Sequence, residues 1–312
     1  MAAAAVIGPL FLVPIPFFIF GPGDAVDLNH VVSVPNHAPP AGTLFLTDVR
    51  LFPGRPAYYV IARALPGFEI VPRVAVAPPS ENDADLNRRL VDAMRESQLN
   101  AQVVAERAAG YHVAARYSFV VERRLANTPG ARCFHVGDAI VAIDGRKPQH
   151  PDDMTRLTRS RPPGTLFALA VVRGKDSVAI RCRTALVQGK PRFGIAIEPR
   201  TDSYKLPIHV AFSVPNINGS SAGLMFALQI YRTLAGKVLA SGAKVAGTGV
   251  LGFDGSVSAV EGASEKLRAA QRAGASVFLV PRANYDDIRR TGGLKIVPVS
   301  SFQGALRALR QL

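Results

Sequence analysis

At 312 residues the chain has room for two or three domains of roughly 100–150 residues each. Its hydrophobic share of 48% is enough to build packed cores, and its formal net charge of +14 raises nucleic acid, anionic lipid or acidic substrates as partners. The basic residues are scattered in short pairs such as Arg88-Arg89, Arg123-Arg124 and Arg289-Arg290, with no aromatics interleaved, so no nucleic-acid platform is expected.

Met1 to Gly23 carries no charged side chain. Its apolar run is about long enough to span a bilayer, although Pro9, Pro14 and Pro16 interrupt it. This stretch, residues 1–23, reads as a membrane anchor, which leaves the rest of the chain on the extracytoplasmic side. A signal-like segment, the tail of an anchor that starts further upstream, and a buried strand at Phe17–Phe20 are the alternatives. Residues 24–109 follow as a strand region and a long helix. Thr43–Val49 alternates like a strand, and Ala57–Ala62 is a second apolar run. Ser80–Ala84 opens the helix, whose apolar face runs through Leu86, Leu90, Ala93, Met94, Ala101, Val104 and Ala108 to a stop at Gly110.

Residues 110–190 read as a small β-rich module. Val136–Arg146 is a turn, a strand and a turn, and Pro151–Leu157 is a short helix. Thr165–Arg173 and Ser177–Cys182 form a hairpin around Gly174-Lys175. The core Gly137-Asp138-Ala139-Ile140, followed by Asp144-Gly145, resembles that of a PDZ domain. Such domains bind a peptide by strand addition and hold its terminal carboxylate on loop amides. By order along the chain, the resemblance puts that loop at Gly110, Tyr111, His112 and Val113. Asp138 reads as a structural turn residue. The two cysteines, Cys133 and Cys182, leave one disulfide or two free thiols open. No Cys-x-x-Cys and no His/Cys cluster occurs, so neither metal nor cofactor is expected.

The most informative stretch is Asn218-Gly219-Ser220-Ser221-Ala222-Gly223. A strand-like run, Leu206–Ser213, leads towards it and a helix-like run, Ala222–Leu234, follows it. A serine on a glycine-flanked turn at a helix start can project its hydroxyl, and free amides there can hold an oxyanion. A small-residue turn with a capping serine has the same pattern. Gly219 to Gly223 also fits the G-x-S-x-G elbow of α/β-hydrolases, but that reading needs a histidine after the serine. All six histidines precede Ser221. His209 remains as a permuted partner, or as a plain strand histidine.

A lysine kept neutral by burial is the other base available. Lys266 lies in a helical stretch where its neighbours at helical spacing are Gly262, Ala263, Ala269 and Ala270, all small. That places it on the buried side, either as a general base or as a side chain whose stem covers the core.

Ser220–Leu224, Ala246–Gly249, Asp254–Val257, Lys266–Ala270 and Phe278–Asn284 closely resemble, in order and spacing, the proteolytic domain of the Lon peptidase family. The resemblance implies Ser221 as nucleophile and Lys266 as general base, with Thr248 near the lysine and Gly219 and Ser220 supporting the turn. Asn218 stands where many members have an acid, and Ser220 where many have proline, which leaves two adjacent hydroxyls with Ser220 the weaker nucleophile candidate. The resemblance further implies flexible or unfolded polypeptide substrates and a homo-oligomer. No G-x-x-x-x-G-K-[ST] phosphate loop occurs, which fits ATP-independent, membrane-anchored Lon-like proteases carrying a PDZ domain. The expected fold is α+β: a PDZ-like module, then a Lon-type α/β domain over residues 195–312. A PDZ-based scaffold with an inactive peptidase site is the rival reading.

Overall fold

The computed structural model describes residues 13–312, apart from Pro66, Pro79, Pro151, Pro215 and Asn216. The chain divides into two units, one ending at His112 and resuming at Pro207, the other Val113–Leu206. In chain order the first unit supplies β1 (Phe17–Asp27), β2 (Thr43–Pro53), α1 (Pro56–Ala64), β3 (Glu69–Pro72) and α2 (Asp83–Ala108). The second unit holds β4 (Ala114–Arg124), β5 (Ala139–Ile143), α3 (Asp153–Arg159), β6 (Leu166–Arg173), β7 (Asp176–Arg183) and β8 (Ile195–Lys205). The first unit then resumes with α4 (Gly223–Ala235), β9 (Lys244–Gly247), α5 (Ala263–Arg272), β10 (Val277–Pro281), β11 (Lys295–Val299) and α6 (Phe302–Arg310).

The first unit is built on a six-stranded sheet in the order β11-β10-β9-β2-β1-β3. Pairing is parallel from β11 across to β2, then antiparallel to β1 and β3. The central strands are buried on both faces, so they read as unbroken apolar runs rather than alternating ones. In β10, Val277 and Leu279 join the core beneath α2, α4 and α6, while Phe278 and Val280 join a second core with Leu267 and Ala270 of α5. Leu44 and Leu46 of β2 go to the first core and Phe45 to the second, which is the period of two expected of a strand.

This corrects the domain boundaries read from the sequence. Residues 24–109 are not a separate section: β2 pairs with β9 from Thr43↔Lys244 to Leu46↔Gly247. Local patterning carries no record of a pairing between segments that far apart. Residues 195–205, assigned to the C-terminal domain, pair with β4 in the second unit. Of the expected anchor, Phe17–Gly23 lies in β1, and residues 1–12 fall outside the described residues. No helix among the described residues is long and apolar enough to cross a membrane. The apolar run Ala57–Ala62 is helical, started by Pro56 in its first turn. Only Ala211–Phe212 of the run Leu206–Ser213 is a strand.

The second unit is one antiparallel sheet, β8-β4-β5-β6-β7, with a separate two-stranded ribbon. Its core is Phe119, Val121, Phe134, Ile140, Phe167, Val171 and their neighbours. Cys133 and Cys182 are joined in a disulfide with Cα atoms 5.9 Å apart. Asp138 is structural: it takes a bidentate contact from Arg173, 2.8 Å on each arm, and accepts the His135 amide at 2.8 Å.

Candidate active site

The serine turn is held by its backbone. Gly219 takes φ +93°, a conformation that favours glycine, and its N–H donates to the Leu90 carbonyl of α2 at 2.8 Å. Ser97, also on α2, donates its hydroxyl to the Ser220 carbonyl at 2.9 Å. The Ser221 carbonyl accepts the Gly249 N–H at 2.7 Å and the Thr248 hydroxyl at 3.1 Å. The turn is therefore clamped between α2 and the end of β9. From Gly223 the chain enters α4, which is buried through Thr233, so the serine sits on a rigid support. A Cβ on Gly223 would lie 2.9 Å from Ser97 Oγ and 3.0 Å from Leu251 Cβ, so only glycine lets α4 approach this closely.

Lys266 sits in the first turn of α5, after Gly262 at φ +64°. It is 3% exposed, and its Nζ lies 2.8 Å from Ser221 Oγ. Burial lowers its pKa to about 8, against the opposing pull of Asp48, Glu261 and Glu265. The partial positive charge of a helix N-terminus acts in the same direction as burial. The two side chains come from opposite faces of the sheet: Ser221 precedes α4 and Lys266 belongs to α5. They meet beside Gly247–Gly249, where β9 ends, the position at which open α/β sheets keep their sites.

Ser221 and Lys266 line a cavity of about 70 Å³ with Thr47, Asp48, Met94 and Asn218. A larger groove of about 770 Å³ shares Asp48, Val49, Ile217 and Asn218 with it and continues over Phe18, Leu51, Leu86 and Leu90. Burial pushes the Asp48 carboxyl above its usual range, with the Asp24 amide opposing. Sequence reasoning missed Thr47, Asp48, Met94 and Ser97. The alternation of Thr43–Val49 marked a strand, but nothing local showed which strand it pairs with.

The other expected residues fall as follows. Thr248 is fully buried, and its hydroxyl holds the Ser221 carbonyl rather than Lys266. The Gly219 amide is taken by Leu90, while those of Ser220, Ser221 and Ala222 have no hydrogen-bond partner among the described residues. His209 is exposed and lies outside any strand. Gly110 and Tyr111 end α2, their amides donating to Arg107 and Glu106 carbonyls. With His112 they belong to the first unit, and Val113 begins the second. The strand they lead into, β4, is flanked by β8 and β5, whereas strand addition needs a sheet edge. The edges here are β8 and β7. Among the described residues, no group of three or more His, Cys, Asp or Glu side chains is placed to hold a metal ion.

Residues 175–309 match the family described as the Lon protease (S16) C-terminal proteolytic domain. The archaeal Lon protease of Methanocaldococcus jannaschii is 34% identical over 97 residues, covering 30% of this chain and 15% of that protein. The Lon protease of Campylobacter jejuni is 32% identical over 121 residues, covering 36% of this chain and 15% of that protein. The match thus spans about a seventh of either relative's length. Among solved structures, the PDZ domain of the SdrC-like protein from Listeria monocytogenes aligns at a TM-score of 0.25 and 21% identity, over 25% of this chain and 85% of that one. The corresponding Listeria innocua domain aligns at 0.25 and 23%, over 26% and 92%.

Proposed function

We propose that this chain, whose residues 175–309 match the Lon proteolytic-domain family, is a serine endopeptidase with Ser221 as nucleophile and Lys266 as general base. One observation carries the reading: a lysine whose pKa burial lowers to about 8 lies 2.8 Å from the hydroxyl of a serine on a clamped turn. Ser221 Oγ attacks the scissile carbonyl while neutral Lys266 takes the hydroxyl proton. The ammonium so formed donates that proton to the departing amine, which leaves an acyl-enzyme. Water then attacks with Lys266 again as base, releasing the acid and restoring the serine. The amides of Ser220, Ser221 and Ala222 are free to hold the oxyanion. Thr248 acts on the serine backbone, fixing the turn that aims Oγ.

The groove beside Ser221 suits an extended, unfolded polypeptide. The second unit serves to present or gate such a peptide, by strand addition at β8 or β7. Hydrolysis does not consume ATP, a reading supported by the lack of a phosphate-loop motif in these 312 residues. The Cys133–Cys182 disulfide supports an oxidising, extracytoplasmic compartment.

The test is digestion of a labelled unfolded protein without ATP by wild type, Ser221→Ala, Ser220→Ala and Lys266→Ala. Loss with Ser221→Ala and Lys266→Ala, together with retention by Ser220→Ala, is expected. Near-full turnover by a folded Lys266→Ala variant sinks the dyad. Absence of cleavage by every form, under conditions where all are folded, favours the scaffold reading.

A further inference from the structure

On the far side of Lys266 along α5, the first unit holds a second cavity of about 520 Å³. Four carboxylates line it: Glu69 at the start of β3, Glu261 before α5, Glu265 within α5, and Asp287. Arg268 is the one basic residue in the lining, so acid outnumbers base here in a chain whose net charge is +14. None of the four carboxylates is ion-paired among the described residues. Glu69 feels the crowding: its carboxyl is pushed up first by partial burial, then by Glu265, Glu261 and Asp287.

Glu265 adds an independent observation. It is 4% exposed, and its Oε2 has no hydrogen-bond partner among the described residues. Leaving a buried carboxylate oxygen unpaired forfeits the hydrogen bonds that water gave it and destabilises the fold. The neighbouring Asn284 does not relieve it, because both ends of its side-chain amide are committed to the Val260 backbone at 2.9 Å. A cation entering the cavity relieves both the unpaired oxygen and the repulsion. The carboxylates are not grouped as metal ligands, since no metal-holding cluster occurs among the described residues. At about 520 Å³ the cavity has room for an organic cation with several donors.

We propose that this cavity is a binding site for an ammonium or guanidinium group, carried by a lysine or arginine side chain or by a free polyamine, and that its occupancy controls Lys266. The control follows from charge. Glu261 and Glu265 both favour the protonated lysine, as does Asp48 from β2 on the side of the serine. A cation among the first two offsets their charge and makes the neutral lysine available at lower pH. The site thus acts as an activator site for the peptidase. Activation rests on the peptidase reading, whereas binding does not.

The test is calorimetry on the full chain at pH 7 and low salt with N-acetyl-arginine amide and, separately, spermidine. One saturable site is expected for at least one probe. Glu265→Gln should weaken it about tenfold or more, the worth of one charged hydrogen bond. Glu69→Gln, at an exposed strand start, gives the same weakening without risk to the fold. Stronger binding of the arginine amide identifies a protein-borne guanidinium as ligand, and stronger binding of spermidine a free polyamine. No saturable binding by either probe, or unchanged affinity in both variants, overturns the site. With the site filled, peptide hydrolysis at pH 7 should rise. A wild type that binds the probe but cleaves nothing keeps the site and removes the peptidase reading.

Discussion

Ser97 donates its hydroxyl to the carbonyl oxygen of Ser220 at 2.9 Å, across 123 residues of sequence. The helix α2 therefore holds the residue next to Ser221. Ser97→Ala leaves that carbonyl short of a donor at a half-buried position and loosens the turn. The expected outcome is a stability loss of about 1 kcal/mol and a fall in kcat of several-fold with KM little changed. Thermal melts and steady-state peptide hydrolysis check it.

The pH–rate profile should carry the signature of Lys266. The base must be neutral, and burial sets its pKa at about 8. The rate should rise with pH below that value and level off above it. Asp48 opposes the shift, so Asp48→Asn should move the rising limb to lower pH and make the enzyme faster at pH 6.5. A profile flat from pH 6 to 9 contradicts a lysine base.

The same lysine is a burden on the fold. The unfolded chain holds its proton to about 10.4, while the folded chain begins to release it near 8. Between those values the unfolded state binds more protons, so wild-type stability rises with pH across that window. Lys266→Met replaces the buried charge with an apolar chain of similar length. It should abolish turnover and raise the melting temperature, by more at pH 7 than at pH 10. A lower melting temperature at pH 7 shows that the site tolerates the charge better than its burial implies.

Cys133 and Cys182 close a loop with a sequence separation of 49. Replacing both by serine should destabilise the second unit by about 2–5 kcal/mol. Far-UV melts should show an earlier transition that coincides with the wild type's under reducing conditions.

The C-terminal half of the first unit was the most legible part of the sequence. The all-apolar run ending in Pro281 and the small residues around Lys266 reflect local rules of burial, and β10 and α5 obey them. Ser221 and Lys266 were singled out because each sits in its own short pattern, and the fold puts them 2.8 Å apart. Thr47 and Asp48 carry no such pattern. They reach the site through the parallel pairing of β2 with β9, which depends on register between distant strands. The peptide loop expected at Gly110–Val113 rested on chain order alone, which does not show that β4 pairs with β8, eighty residues on.

The division of one sheet between two ends of the chain also bears on synthesis. The strand carrying Thr47 and Asp48 leaves the ribosome long before β9, and the whole second unit comes between them. A nascent chain that stops short of α5 has Ser221 but not Lys266. Folding of the first unit must wait for its last strands, since domains fold as units and long-range pairing comes late. On the proposed dyad, the emerging chain is safe from its own serine until α5 has been made.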